Sequence, residues 1–181
     1  PRHINSTELR ISSSSIELAV GQSDTLYCQV LPSDASYQSV IWSSSDASVA
    51  YVQDGIVKGV SDGSAVISAS NGELVAQCTV TVLMPVASIS LSESSLILDE
   101  GGSAKIAATI LPDNATDKSV TWTSLDETVV TVSSDGTVNA LKAGKTEIMA
   151  TSNASGQFAF CSVEVISRAV VALDKSSISL N

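Results

Sequence analysis

Apolar and polar residues alternate with a period of two over many short stretches of this chain. Leu26, Cys28 and Val30 have polar Thr25 and Gln29 beside them, and Cys78, Val80 and Val82 stand against Thr79 and Thr81. An extended strand turns successive side chains to opposite faces, so this pattern predicts strands with one face buried and one in water. Asp54 with Gly55, Asp62 with Gly63, Asn71 with Gly72 and Asp135 with Gly136 punctuate the alternation. These residues tolerate positive φ and mark tight turns. The first half of the chain reads as seven short strands, near 9–12, 15–20, 24–31, 38–44, 48–52, 55–60 with 64–70, and 73–82. No run of helix formers is long enough to compete.

The pattern then repeats. Ile16, Pro32, Trp42 and Val49 are matched 80 positions later by Leu96, Pro112, Trp122 and Val129. One inserted residue moves the offset to 81 for Gly55, Val57 and Gly63 against Gly136, Val138 and Gly144, and two more move it to 83 for Cys78, Val80 and Val82 against Cys161, Val163 and Val165. Insertions of this kind are expected at turns. The expected organisation is a leader segment at 1–6, a first repeat at 7–84, a second at 85–168, and the first strand of a truncated third at 169–181. That last piece runs Leu173, Asp174, Lys175, Ser176, Ser177, Ile178 and echoes Leu91 to Leu96. Two antiparallel sheets closed over a core bury such alternating faces, so the expected fold class is all-β, two tandem immunoglobulin-like β-sandwich domains.

The stretch Val40, Ile41, Trp42, Ser43, Ser44, Ser45, Asp46, continuing through Val49, Ala50, Val52, Gly55, Val57, Gly63, Ala65, Ile67 and Ala69, resembles the central signature of the bacterial Ig-like domain family, group 2. The second copy carries it as Val120, Trp122, Ser124, Asp126, Val129, Val132, Gly136, Val138, Gly144, Ile148 and Ala150, departing at Leu125 and Val130 where the first has Ser45 and Ala50. The resemblance implies the sandwich fold and an extracellular, bacterial cell-surface setting. Its matching residues are core and turn positions, so it transfers no binding site.

Charge narrows the partners. Nine Lys and Arg stand against 19 Asp and Glu, a formal net charge of −10. Such a surface repels a nucleic-acid backbone or an anionic membrane, and no apolar stretch is long enough to insert in a bilayer. The expected partners are neighbouring Ig-like repeats of a parent chain and a surface protein or glycan. The beginning has no apolar signal core and the chain stops at Asn181, which reads as an internal piece of a longer protein.

Candidate chemistry is sparse. His3 is the one imidazole and lies in the leader, read as a solvated tail residue, so a nucleophile or metal elsewhere has no histidine to converge with. Asp99 with Glu100 and Asp126 with Glu127 are adjacent residues, which a strand turns to opposite faces. No catalytic residue, cofactor or metal site is expected, and the chain is expected not to be an enzyme. Asp113, Asn114 and Asp117 form the best calcium-like cluster but lack the Gly and terminal Glu of a helix-loop-helix site, and the first copy reads Ser33, Asp34, Ala35, Ser36 instead. Asn114 with Thr116 and Asn153 with Ser155 fit the glycosylation sequon.

Trp42 and Trp122 fall at strand positions that fill the space between sheets, and with Cys28, Cys78 and Cys161 they form the expected structural core. Cys28 and Cys78 share a repeat and could bridge its sheets. In the second repeat Ala108 replaces Cys28 while Cys161 stands alone, which favours free buried thiols acting as small hydrophobes. Phe158 and Phe160 are the candidate ligand-binding pair. If Cys161, Val163 and Val165 face inward, both rings face outward, unless a bulge returns them to the core. With Pro85 in a short junction, the expected role is a non-catalytic extracellular spacer or adhesion module. The alternative is a carbohydrate-binding accessory module of a polysaccharide-processing surface protein.

Overall fold

A computed structural model describes residues 3–167 of the chain. The predicted strand of a third repeat lies outside the described residues. Two compact units are formed: one holds the residues through Ala87 together with Pro112–Asp117, the other Ser88–Leu111 and the described residues from Lys118 on. Every regular element among the described residues is a strand.

In the first unit the strands are β1 (Glu8–Ile11), β2 (Ser15–Ala19), β3 (Ser23–Thr25), β4 (Cys28–Leu31), β5 (Ile41–Ser44), β6 (Ala50–Gln53), β7 (Ile56–Gly59), β8 (Gly63–Ser70) and β9 (Val75–Leu83). The order β2-β9-β8-β5 makes one sheet, β3-β7-β6 a second, and β1 pairs β4 in a separate two-stranded ladder. β2 runs parallel to β9, and the other pairs are antiparallel. The second set repeats this with β10 (Ser88–Leu91), β11 (Ser95–Asp99), β12 (Ser103–Lys105), β13 (Ala108–Leu111), β14 (Val120–Ser124), β15 (Val130–Val132), β16 (Thr137–Ala140), β17 (Gly144–Ser152) and β18 (Phe158–Ile166). Its sheets are β11-β18-β17-β14 and β12-β16-β15, with β10 paired to β13.

The alternation read from the sequence sets which faces meet. On β9 the inward residues are Cys78, Val80 and Val82, and on β8 they are Ala65, Ile67 and Ala69, with Ile67 opposite Cys78 and Ala65 opposite Val80. On β18 and β17 the same places hold Cys161, Val163 and Val165, with Ile148 opposite Cys161. Each fully buried Val or Ile contributes about 1.5–3 kcal/mol relative to exposure. Trp42 and Trp122 are half-buried and pack against these two clusters. The departure at Val130 is absorbed in the core, where it is as buried as Ala50. Ser44 Oγ donates to Ala50 O at 2.6 Å. Its counterpart Ser124 Oγ is buried without a hydrogen-bond partner among the described residues.

The predicted strand at 24–31 is two strands. It is interrupted at Leu26 and Tyr27, because Leu26 turns into the core and its amide donates to Gly55 O at 2.8 Å instead of continuing one ladder. Ile106 does the same with Gly136 O at 2.9 Å. β3 thereby pairs with β7 while β4 pairs with β1. The predicted strand at 38–44 begins only at Ile41, and the piece at 55–60 ends at Gly59, separate from β8. Nine short strands per copy therefore replace the seven expected.

The insertions sit in turns. Asp54 (φ 52°) and Gly55 (φ 82°) link Gln53 to its partner Ile56, the two-residue hairpin geometry that requires positive φ at both places. In the second copy Ser133 N donates to Thr137 O at 2.8 Å and Gly136 N to Ser133 O at 3.0 Å, enclosing one more residue. The later hairpin encloses four residues between Ser70 and Val75 but six between Thr151 and Phe158. One device recurs without change: Ile4 and Ser36 exchange two hydrogen bonds, at 3.0 and 2.8 Å, and Met84 and Thr116 exchange two at 2.7 and 3.0 Å. The segment leading into each copy is thus tied to the loop after its Pro32 or Pro112.

Gly55 carries two demands at once, positive φ and an approach so close that a Cβ would overlap the Leu26 carbonyl oxygen. Gly21 has φ +86° but open space around it. Gly55→Ala is therefore expected to lower stability by well over about 1 kcal/mol, and Gly21→Ala by only about that much. Urea denaturation of the two variants checks the difference.

Candidate recognition surface

Phe158 and Phe160 lie on β18 two residues apart, so they share the outward face of the four-stranded sheet. They are 58% and 42% exposed, and their rings meet edge to face with centroids 5.3 Å apart. Ala159 between them points to the half-buried side and Cys161 is in the core. Backbone register fixes their neighbours. Phe158 stands opposite Thr151, which stands opposite Thr121; Phe160 stands opposite Met149, which stands opposite Thr123. Directly opposed residues share a face, so two rows of phenyl, thioether and hydroxyl groups form an uncharged strip. The matching positions of the first copy hold Val75, Ser70 and Ile41 in one row and Gln77, Ser68 and Ser43 in the other. The fold accepts either set.

Further along the same face the groups become charged. Lys145 Nζ lies 3.1 Å from Glu164 Oε2, both on solvent-exposed side chains. A second feature, which the sequence reading missed, is a cleft lined by Lys105, Lys118, Trp122, Ser134 and Asp135. Lys105 Nζ lies 3.0 Å from Asp135 Oδ2, and this ammonium, with the hydroxyl and amide of Thr137, pulls the Asp135 carboxyl down to about 2. The available signal was the two lysines that precede Trp122 in sequence, Lys105 and Lys118, which form a cluster with it only when β12, β14 and the β15–β16 turn converge.

The remaining candidates have structural places. Glu100 Oε1 accepts from the Ala143 amide at 2.7 Å. Asp126 Oδ1 accepts from the amide and hydroxyl of Thr128 at 2.9 and 2.6 Å, and those bonds hold its carboxyl below the usual range. Asp46 does the same with Ser48. His3 is exposed but packs edge to face on Tyr37, centroids 5.5 Å apart, so it is more than a solvated tail residue. Among the described residues no group of three or more His, Cys, Asp or Glu stands close enough to hold a metal ion, the loop of Asp113 and Asp117 included.

All three cysteines are free thiols. Cys78 and Cys161 are fully buried in the two cores and Cys28 is half-buried. Burial pushes each thiol up from its usual range, by withholding the water that would stabilise the thiolate.

The two-sheet architecture, the twice-built core and the hairpin glycines define tandem immunoglobulin-like β-sandwich modules. The chain belongs to the bacterial Ig-like domain (group 2) family, whose model matches residues 6–82 and 85–163. It is similar to an uncharacterised protein of Clostridium acetobutylicum, 34% identical over 151 residues that cover 81% of this chain and 16% of that one. It is also similar to an Ig-like virion protein of Serratia phage KSP90, 32% identical over 154 residues covering 81% of this chain and 60% of the relative. An α-L-arabinofuranosidase of Bifidobacterium longum subsp. longum is 40% identical over 81 residues, 45% of this chain and 8% of the enzyme. The chain thus spans less than two thirds of the length of each of these relatives.

Thiol reactivity follows thiolate fraction and access. Iodoacetamide treatment of the native protein at pH 8 is expected to label Cys28 first, with Cys78 and Cys161 protected until urea is added. Mass spectrometry of peptides sampled over time checks the order.

Proposed function

We propose that this chain is a non-catalytic spacer and adhesion segment of a bacterial cell-surface protein, held outside the cell. The observation that carries the reading is that the inside is copied while the outside is varied. Cys78, Val80 and Val82 recur as Cys161, Val163 and Val165 in the same ladder positions, whereas outward Val75 and Gln77 become Phe158 and Phe160. A repeated scaffold with interchangeable faces suits a chain of modules whose task is reach and contact. The connection is short: β9 ends at Leu83 and β10 begins at Ser88, with Pro85 between them fixing its own φ. The similarity to a virion Ig-like protein favours the same kind of exposed setting. Small-angle scattering of the chain tests the spacer role. The expected radius of gyration is well above the roughly 16 Å of a compact globule of this length. A value at that compact limit overturns the reading.

A second reading has its own support. The exposed phenyl pair in an uncharged strip, together with the match to part of an arabinofuranosidase, favours a carbohydrate-binding accessory module of a polysaccharide-processing surface protein. Aromatic faces and edges pack against the C–H surfaces of sugar rings while threonine hydroxyls exchange hydrogen bonds. A panel of neutral plant and host glycans is expected to show binding that Phe158→Ala with Phe160→Ala abolishes. Absence of binding across the panel removes this reading and leaves the spacer role standing.

A further inference from the structure

The cleft of the second unit has a volume of about 360 Å³ and is lined by Lys105, Ile106, Lys118, Trp122, Ser134 and Asp135 among others. Lys105 closes β12, Trp122 is central on β14, and Ser134 and Asp135 belong to the turn between β15 and β16. In a chain with net charge −10, two of its nine cationic side chains line this one hollow. The fold does not demand them. The first copy keeps the tryptophan, as Trp42, but has Thr25 and Gln38 where the second has Lys105 and Lys118. Gln38 there turns its amide onto its own loop, donating to Ala35 O at 3.1 Å and Pro32 O at 3.3 Å.

We propose that this cleft binds a carboxylate-bearing sugar residue of an acidic polysaccharide. The two ammonium groups give charge-assisted hydrogen bonds to a carboxylate, which are stronger than neutral ones. The accessible part of the half-buried Trp122 indole offers apolar surface to the C–H groups of a sugar ring, and the Ser134 hydroxyl both donates and accepts toward ring hydroxyls. The volume suits one sugar residue rather than a long segment. Binding is local because the rest of the molecule repels a polyanion, and it weakens with salt because its attraction comes from the exposed ammonium groups of Lys105 and Lys118. Asp135 has a defined part: its carboxylate holds Lys105 at 3.0 Å and competes with the incoming one. The site shares no lining residue with the Phe158 and Phe160 pair and depends on neither reading above.

Calorimetric titration of the whole chain with oligogalacturonate, and with the same oligomer fully methyl-esterified, tests the assignment. The acid is expected to bind and the ester not to bind, and raising the salt should weaken the acid at least ten-fold. K105Q combined with K118Q, both on exposed positions, should weaken it by a similar factor, and D135N should tighten it several-fold by removing the competing carboxylate. No binding of the acid at millimolar concentration overturns the proposal. So does equal binding of the ester, or a K105Q/K118Q variant that binds as the parent does. These outcomes are independent of the radius of gyration, so a compact particle that still binds the acid would remove the spacer role and leave the site.

Discussion

The molecule depends on one constraint: the inward faces of β8 and β9, and of β17 and β18, must meet the opposite sheet with side chains that are apolar apart from Thr146 and Ser152 of β17. Ile67 against Cys78 and Ile148 against Cys161 are the centres of that contact, and all four are fully buried. Small residues next to them, such as Ala65, Ala69 and Ala150, let the sheets approach, and the half-buried indoles of Trp42 and Trp122 cover one flank. A one-residue slip of either central hairpin would turn every one of these side chains to water. Register is therefore strongly specified, and the two copies share it through insertions of one and two residues.

Because the inner faces fix the register, the outer faces are left free to differ. The strip that reads Ile41, Ser70, Val75 in the first copy reads Thr121, Thr151, Phe158 in the second, with no change in pairing. The flank beside each tryptophan differs in the same way, from Thr25 and Gln38 to Lys105 and Lys118. A lysine at an exposed position costs the fold little, since it keeps its charge in water while its stem covers apolar surface. These outward positions are ones that stability does not constrain.

The turns show the complementary case, where backbone geometry constrains strongly. Gly55 and Gly136 sit where a carbonyl of the neighbouring strand comes within the space of a Cβ, and the same carbonyls belong to Leu26 and Ile106. Those two residues are also where β3 gives way to β4, and β12 to β13, with a change of pairing partner. Glycine and strand break are one feature seen from two sides. The close approach lets Leu26 or Ile106 enter the core while its amide finds an acceptor across the gap.

By itself the sequence determined the fold class, the two copies, the inward residues and the turns, because period-two alternation and paired turn residues are local signals repeated at a nearly constant offset. It also carried the outward direction of Phe158 and Phe160, since that follows from counting back from Cys161. It did not carry the break at Leu26 and Ile106: alternation continues through both, and only the opposing glycine reveals the change of partner. The edge-to-face meeting of the two phenyl rings, the packing of His3 on Tyr37, and the gathering of Lys105, Lys118, Trp122 and Asp135 were decided by the tertiary structure. Each joins side chains whose distance depends on rotamer or on strand order, and neither is encoded in the spacing of residues along a strand.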